Sequence, residues 1–420
     1  MTLRFIILIV CINSWVSTNA QILIQGQILD SLSGDPLPSA TVGISGTTLG
    51  TASNKEGRFV LRIPDQLSDS LFFVSYVGYK SFFLKVSQLQ EETVIQLEVD
   101  EWLLEEVEVR PWEPWDYILA ALNKIPDNYL SEAFLTTNYY NEYISENEQF
   151  LKFTEGVIST YNPAYGDTTR IASRLIQARS RDDLSSIAFM RKRLEKKMEK
   201  ELKKARKSGD SIDFETLDDA VMSASFGGPR QILNNDPIRD TASFLNPKNK
   251  KYFKYSFNGY TSYHGMKVII IHFESTRKFD HQKKIGDVYI TLDTDAIVVI
   301  EFESRLIIPN VIKPIMFLAG LGVTDPALKM DIHYKPYQNR WYINDISIEG
   351  SSKLTHKKMF KKNDHSIFEF YQSLITTNIE MDDVYPIPKD EQLKNWRPLE
   401  DQIETDAEFW KSYSVVRTEN

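Results

Sequence analysis

The sequence predicts a mostly β protein, with a seven-stranded N-terminal β-sandwich followed by an α+β domain on a large curved antiparallel sheet. Three observations predict it. Short runs of β-formers separated by turn residues recur about every eight to twelve positions through residues 21–110. A helical period then opens a second region at Trp115, and strand alternation returns after Tyr252. With 420 residues, one Cys and 25% charged side chains, the chain has ordinary globular composition, and disorder, collagen and a disulfide scaffold are excluded. A formal charge of -9, from 49 basic and 58 acidic residues, argues against general nucleic-acid binding, which needs a basic face.

Residues 1–20 read as a signal peptide: Arg4, the apolar run Phe5 to Ile12, then Thr18-Asn19-Ala20 with small side chains at the cleavage positions. The run is shorter than the roughly 20 residues needed to span a bilayer. Cleavage is expected before Gln21. Ile9 and Val10 stand where a lipoprotein signal before Cys11 needs small residues. Once the leader is removed, thiolate zinc sites and cysteine nucleophiles go with it.

In the first domain, residues 21–110, the expected strands are Ile22 to Leu29, Ala40 to Ile44, Arg58 to Ile63, Ser70 to Tyr76, Ser81 to Val86, Thr93 to Leu97 and Glu106 to Val109. Phe59, Leu61 and Ile63 share one face, and Arg58 and Arg62 share the other. Asn54-Lys55-Glu56-Gly57 supplies a turn before that strand. The ordered segments Gly34-Asp35-Pro36-Leu37-Pro38-Ser39-Ala40-Thr41-Val42, Gly46 to Thr51, Asn54 to Phe59 and Ser75-Tyr76-Val77-Gly78-Tyr79 closely resemble the carboxypeptidase-like regulatory domain. The resemblance implies a transthyretin-like or immunoglobulin-like sandwich. This accessory module, without catalytic residues of its own, is found in metallocarboxypeptidases and in exported envelope proteins of Gram-negative bacteria. It covers about 90 residues and is specific for fold rather than function. The module also precedes the plug of some TonB-dependent receptors, but the remaining chain reads as neither plug nor long barrel.

The second domain, residues 111–385, opens after Pro111 and Pro114 with a helix from Trp115 to Ile125, where Trp115, Ile118, Leu119 and Leu122 are helically spaced. Paired strands follow at Phe134 to Tyr143 and Glu148 to Tyr161. The run from Trp115 through Tyr139-Tyr140-Asn141-Glu142-Tyr143 to Phe153-Thr154-Glu155-Gly156-Val157 looks like the opening of envelope proteins with the same two-part layout, with no activity attached. Later strands are expected at Tyr252 to Phe257, Met266 to Glu274, Ile285 to Asp293, Ile297 to Arg305, Met330 to Lys335 and Arg340 to Glu349, forming an antiparallel meander. The pattern is similar to the lipoprotein-carrier half-barrel, a curved sheet whose concave side can hold acyl chains. That likeness is of pattern, not motif. Residues 386–420 read as an acidic tail in which Trp396, Phe409, Trp410 and Tyr413 are spaced as anchors.

Two segments supply candidate sites. Met190 to Lys207 carries ten Lys or Arg against three Glu and reads as a basic helix, so Lys196, Lys197, Lys200, Lys203 and Lys204 are membrane-surface candidates. Its narrow stripe of Leu194, Met198 and Leu202 lacks Trp and Phe, which favours a solvated insertion. In the apolar stretch Leu306 to Leu328, Ile312, Met316, Phe317, Leu318 and Leu321 are ligand-binding candidates, as lining or lid of a groove. The alternative is a plug closing the sheet's apolar face.

No catalytic residues, metal site or cofactor are expected. None of the six histidines has a Glu at the third following position, and no His-Glu-x-x-His, Gly-x-Ser-x-Gly, phosphate loop or dinucleotide fingerprint occurs. His272 and Glu274 share a strand face but lack a third ligand. The reading is an exported, non-enzymatic protein of the periplasm or the periplasmic face of the outer membrane, binding an envelope protein or outer-membrane component through β surfaces. The alternatives are a periplasmic carrier of an apolar ligand or lipoprotein, and a hydrolase without a recognisable motif.

Overall fold

The computed structural model describes residues 21–100, 110–165, 170–182, 236–240, 243–276, 282–306, 321–356, 364–394 and 399–413, with Asp167, Pro229 and Ile232. Seven short strands form the N-terminal sandwich: β1 (Gln21–Asp30), β2 (Thr41–Ile44), β3 (Gly50–Ala52), β4 (Arg58–Pro64), β5 (Leu71–Ser75), β6 (Phe82–Lys85) and β7 (Glu92–Leu97). One sheet has the order β4-β1-β7 and the other β3-β2-β5-β6, with Ile28, Phe59, Ile63, Phe72 and Val74 fully buried between them. The alternation in β4 is as expected, with Phe59, Leu61 and Ile63 inside. The strand count agrees with the sequence for a different reason. Glu106 to Val109 lies outside the described residues, and the three-residue β3, too short to leave a pattern, takes the seventh position.

The second region opens with α1 (Pro114–Asn123), where Pro114 occupies the first turn and the Glu113 amide donates to Asp116 Oδ2 at 3.0 Å. Trp115, Tyr117, Ile118 and Ala121 are buried, whereas Leu119, placed on the apolar stripe by spacing, is 37% exposed. A single turn, α2 (Ile125–Asn128), leads to ten strands: β8 (Phe134–Glu146), β9 (Gln149–Asn162), β10 (Ala172–Asp182), β11 (Phe253–Tyr263), β12 (Met266–Ser275), β13 (Gln282–Thr291), β14 (Ile297–Leu306), β15 (Leu321–Tyr337), β16 (Arg340–His356) and β17 (Asp364–Glu380). They form one antiparallel sheet, not closed into a barrel, in the order β10-β9-β8-β17-β16-β15-β14-β13-β12-β11. β10 and β17 were not anticipated, and β15 and β16 run well beyond Met330 to Lys335 and Arg340 to Glu349. The meander is therefore joined to the early hairpin by β17, which pairs with β8 and makes one sheet of both.

The pairing register explains why this sheet has two unlike faces. On one face, Tyr140, Leu374 and Ile346 of β8, β17 and β16 line up with Ile332, Ile300 and Val288 of β15, β14 and β13. None of these six is more than 1% exposed. The row is covered by the protein itself: by Trp115, Tyr117 and Ile118 of α1, by Tyr129 and Leu130, and by Phe244, whose ring stacks on Phe273 at 3.9 Å. Shifting by one residue reaches the opposite face, because strand side chains alternate. There Glu155, Asn141 and Ser373 of β9, β8 and β17 continue into Ser347, Asp331 and Glu301 of β16, β15 and β14. Asp287 and His272 extend this polar row, and their carboxylate and imidazole lie 3.0 Å apart.

The sandwich docks on the polar face. Thr48 Oγ1 donates to Asn378 Oδ1 at 2.8 Å, the Gly78 amide donates to Ser262 O at 2.8 Å, and Thr41 Oγ1 lies 3.3 Å from the Tyr263 hydroxyl. Lys335 of β15 enters the seam, only 2% exposed, with its ammonium 5.5 Å from the centre of the Phe73 ring. Gly43 and Gly50 make room for it: a Cβ at Gly50 would lie 2.6 Å from Lys335 Nζ and 2.7 Å from the Val42 carbonyl oxygen. Gly50→Ala is expected to cost about 1 to 3 kcal/mol, because the Val42 backbone cannot rotate aside as a side-chain end can. Urea unfolding measures it, and an unchanged midpoint would show that the seam has slack.

The C-terminal residues wrap the β10 edge. Leu399 reaches the apolar face beside Gly156, Thr405 Oγ1 donates to Ala178 O at 2.9 Å, and α3 (Ala407–Ser412) carries Trp410 onto Tyr139, Val157 and Ile375 of the polar side. Ion pairs hold both sides of the wrap. Lys152 pairs with Glu400, and Glu155 accepts from Arg179 Nε and Tyr139 OH, each at 2.5 Å, while the Arg179 guanidinium lies 4.4 Å from the Trp410 ring centre.

Candidate functional site

A cavity of about 220 Å3 lies between the sandwich and the polar face of the sheet. Its two walls come from different parts of the chain. The sandwich supplies Ser39, β3 and the turn Ser53 to Glu56, and the sheet supplies side chains of β8, β9, β16 and β17. The floor is a register effect: Phe153, Tyr143 and Tyr371 are direct cross-strand partners on β9, β8 and β17, so three aromatic side chains stand side by side on adjacent strands. Neighbouring strands are about 4.8 Å apart, so the three side chains rise from adjacent positions of the floor. All three are partly exposed.

Lys55 from the sandwich turn reaches across. Its ammonium lies 4.4 Å from the Tyr371 ring centre and 2.8 Å from Glu349 Oε1 of β16. Asn54, also in the wall, accepts through Oδ1 from the amides of Glu56 at 3.1 Å and Arg58 at 2.8 Å, which fixes its amide and leaves a buried Nδ2 without an acceptor among the described residues. Burial raises the Tyr371 phenol, partly offset by its hydrogen bond with Ser373. Asp345 closes the inner end, where His333 Nδ1 lies 3.0 Å from its Oδ2.

Among the described residues this pair is the one place where a carboxylate of the cavity wall meets an imidazole, so its electrostatics matter. Burial by itself lowers the His333 pKa, but the charge and hydrogen bond of Asp345, with Glu301 and Asp331 nearby, outweigh it and hold the imidazole at about 9. His333 is thus a cation at neutral pH. The sandwich caps this charged patch with Tyr76, whose phenol is pushed up by burial and by the charges of Glu301, Asp331 and Asp345. His264, in the β11–β12 turn, is the opposite case, since burial and the charge of Lys335 hold it down at about 3 and therefore neutral. Among the described residues no group of three His, Cys, Asp or Glu side chains is set to hold a metal ion, and no helix is long and apolar enough to cross a membrane.

None of the candidate site residues singled out by sequence is among the described lining residues. Ile312, Met316, Phe317 and Leu318 lie outside the described residues, as do Lys196, Lys197, Lys200, Lys203 and Lys204. The backbone of Leu321 belongs to β15 and pairs with His356. His272 is partnered by Asp287, and Glu274 beside it is exposed. The leader, Cys11 and Trp396 are likewise outside the described residues. What sequence reasoning missed is the cavity itself. Tyr139 to Tyr143 read as a strand and Asn54 to Gly57 as a turn, and the one available signal was the density of Tyr and Phe in strands that also carry Asn, Ser and Thr.

Comparison with known proteins adds the following. No curated protein matches the chain. Among solved structures, a putative outer membrane lipoprotein-sorting protein domain from Vibrio parahaemolyticus is similar at 9% identity, with 65% of this chain and 95% of that one covered and a TM-score of 0.26. A LolA superfamily protein from Nitrosomonas europaea is similar at 8% identity, covering 68% and 100%, with a TM-score of 0.23. Lipovitellin, in a structure of its lipid-protein interactions, is similar at 8% identity, covering 62% and 26%, with a TM-score of 0.25. At such scores no conclusion about this chain rests on the likeness. The sandwich is different: residues 24–109 match the CarboxypepD_reg-like domain, the family to which its turn and strand segments point.

Proposed function

We propose that this is an exported, non-enzymatic envelope protein that binds a partner component through the cavity between its sandwich and its sheet. The observation that carries the reading is the two-sided cavity, floored by Phe153, Tyr143 and Tyr371 and roofed by the turn Ser53 to Glu56. Concave, aromatic-rich sites with a few placed polar groups at domain junctions are where ligands bind. His333, held as a cation and buried behind Asp345, is not placed to serve as a general base for the cavity at neutral pH. A carrier of acyl chains needs an open apolar groove, and the apolar row from Tyr140 to Val288 is buried beneath the protein's own side chains, whereas the cavity opens on the polar face. The expected location is the periplasm or the periplasmic face of the outer membrane.

The test is retention of a component from a detergent extract of cell envelopes by the mature chain, followed by native mass spectrometry. Asn141→Trp fills the cavity from its floor. Loss of the retained mass in this variant, with an unchanged thermal midpoint, is the expected result. Retention indifferent to Asn141→Trp, or turnover of an ester or peptide panel, would overturn the proposal.

A further inference from the structure

The geometry points to a neutral saccharide chain as the ligand of the cavity, an inference that rests on the binding role proposed above. Phe153, Tyr143 and Tyr371 are held in register on three adjacent strands, which gives a row of aromatic side chains rather than a single pocket for one side chain, with the Lys55 ammonium over the Tyr371 ring at its end. A pyranose unit presents the matching chemistry: a flat apolar face of C–H groups that stacks on an aromatic ring, surrounded by a rim of hydroxyls. The rim meets groups of both hydrogen-bonding kinds, with Asn141 and Ser373 on the sheet side and Ser39 and Asn54 on the sandwich side. At about 220 Å3 the cavity is smaller than the roughly 300 Å3 that encloses a compact small molecule. It therefore takes one unit of a chain that continues along the aromatic row.

Charge sets the class of saccharide. Among the described lining residues the one cation is Lys55, already engaged by Glu349, while Asp345 is offset by His333 and Glu56 adds negative charge to the wall. Within the described lining, a uronate, a phosphorylated sugar or a peptide carboxylate would meet Glu56 with no unengaged cation to offset it. Neutral hydroxyls meet no such opposition.

The experiment is isothermal titration of the full mature chain with three neutral hexasaccharides, the β-1,4-glucan, the α-1,4-glucan and the β-1,4-N-acetylglucosamine chain, alongside a trigalacturonate and an acidic hexapeptide. Binding of at least one neutral hexasaccharide is expected, weakened about tenfold or more by Tyr143→Leu, as loss of one stacking partner implies, and kept within about threefold by Tyr143→Trp. Thermal midpoints of both variants separate lost stacking from lost folding. If Tyr143→Leu unfolds the chain, saturation-transfer NMR on the unaltered protein replaces it, with the axial ring protons of the bound sugar expected to receive the strongest transfer. No binding of any neutral hexasaccharide, binding unaffected by Tyr143→Leu in a folded variant, or binding of the trigalacturonate or the hexapeptide alone would overturn the inference. If one of these results accompanies cavity-dependent retention of an envelope component, the saccharide assignment falls and the binding role stands.

Discussion

Asp345→Asn is expected to destabilise the folded protein by on the order of 3 kcal/mol at pH 6 and by much less above pH 9. The reason is the buried His333–Asp345 pair, whose side chains are 5% and 3% exposed. Asparagine keeps the size and hydrogen-bonding capacity of the side chain but removes the charge that overcomes the desolvation of the imidazolium. In the folded protein the His333 pKa is raised from 6.5 to about 9, a displacement worth on the order of 3 kcal/mol in favour of the protonated native state. A raised folded value means that this stabilisation is complete below pH 6.5 and is lost as pH rises through 9. Removing one partner of a buried pair typically costs about 3 to 5 kcal/mol, which agrees in size. Urea unfolding at pH 6.0 and pH 9.5 checks the prediction, and a variant penalty equal at the two values would mean that the pair carries no charge in the wild type.

Lys335→Met should act in the opposite sense, stabilising the protein at pH 7 by on the order of 3 kcal/mol. Lys335 is 2% exposed, and burial alone brings it from 10.5 to about 8. A base with a depressed folded value carries a penalty that is absent above pH 10.5, grows as pH falls and is complete below 8. Methionine has a similar unbranched shape, fills the same passage between Gly43, Gly50 and Phe73, and carries no charge to desolvate. The gain should vanish by pH 10.5 in the same unfolding experiment. A variant less stable than wild type at pH 7 would show that the ammonium has a favourable role in the seam. His333 and Lys335 stand two residues apart on β15 with opposite pH dependence. From these two groups alone, wild-type stability falls between pH 6.5 and 8, is level between 8 and 9, and rises toward 10.5.

Both groups lie under the sandwich, which gives the accessory domain a physical role. The sheet's polar face holds Glu155, Asp331, Glu301 and Asp287, and covering such a row is costly unless each charge finds a partner. Arg179 and Tyr139 serve Glu155, Lys329 serves Asp331, Tyr289 serves Glu301 and His272 serves Asp287. Beyond the covered part, the aromatic row is left facing the turn Ser53 to Glu56 across the cavity. The docking that buries His333 and Lys335 therefore also sets the height of the roof over Tyr143 and Tyr371.

The sequence by itself determined what is local. Alternation of Phe59, Leu61 and Ile63 gave a strand with one buried face, and turn segments such as Asn54 to Gly57 marked a recognisable sandwich. The spacing of Trp115 and Ile118 gave a helix against the core, and the runs from Met266 to Arg305 gave successive hairpins. β17 escaped because Gln372 to Thr376 are buried on both faces, by the core on one side and the polar-face cover on the other, so hydrophobicity does not alternate there. Gln372 even points a polar group to the core side, where Glu142 accepts from it at 2.6 Å. Only the tertiary structure decided that β17 pairs with β8, some 230 residues earlier, and this one pairing brings Tyr371 beside Tyr143. Side-chain period reports which face of a strand is buried and carries no information about which distant strand lies next to it or in what register. The cavity and the aromatic row depend on that register, and so they exist only once β17 has paired with β8, whereas the His333–Asp345 pair needs only the β15–β16 hairpin.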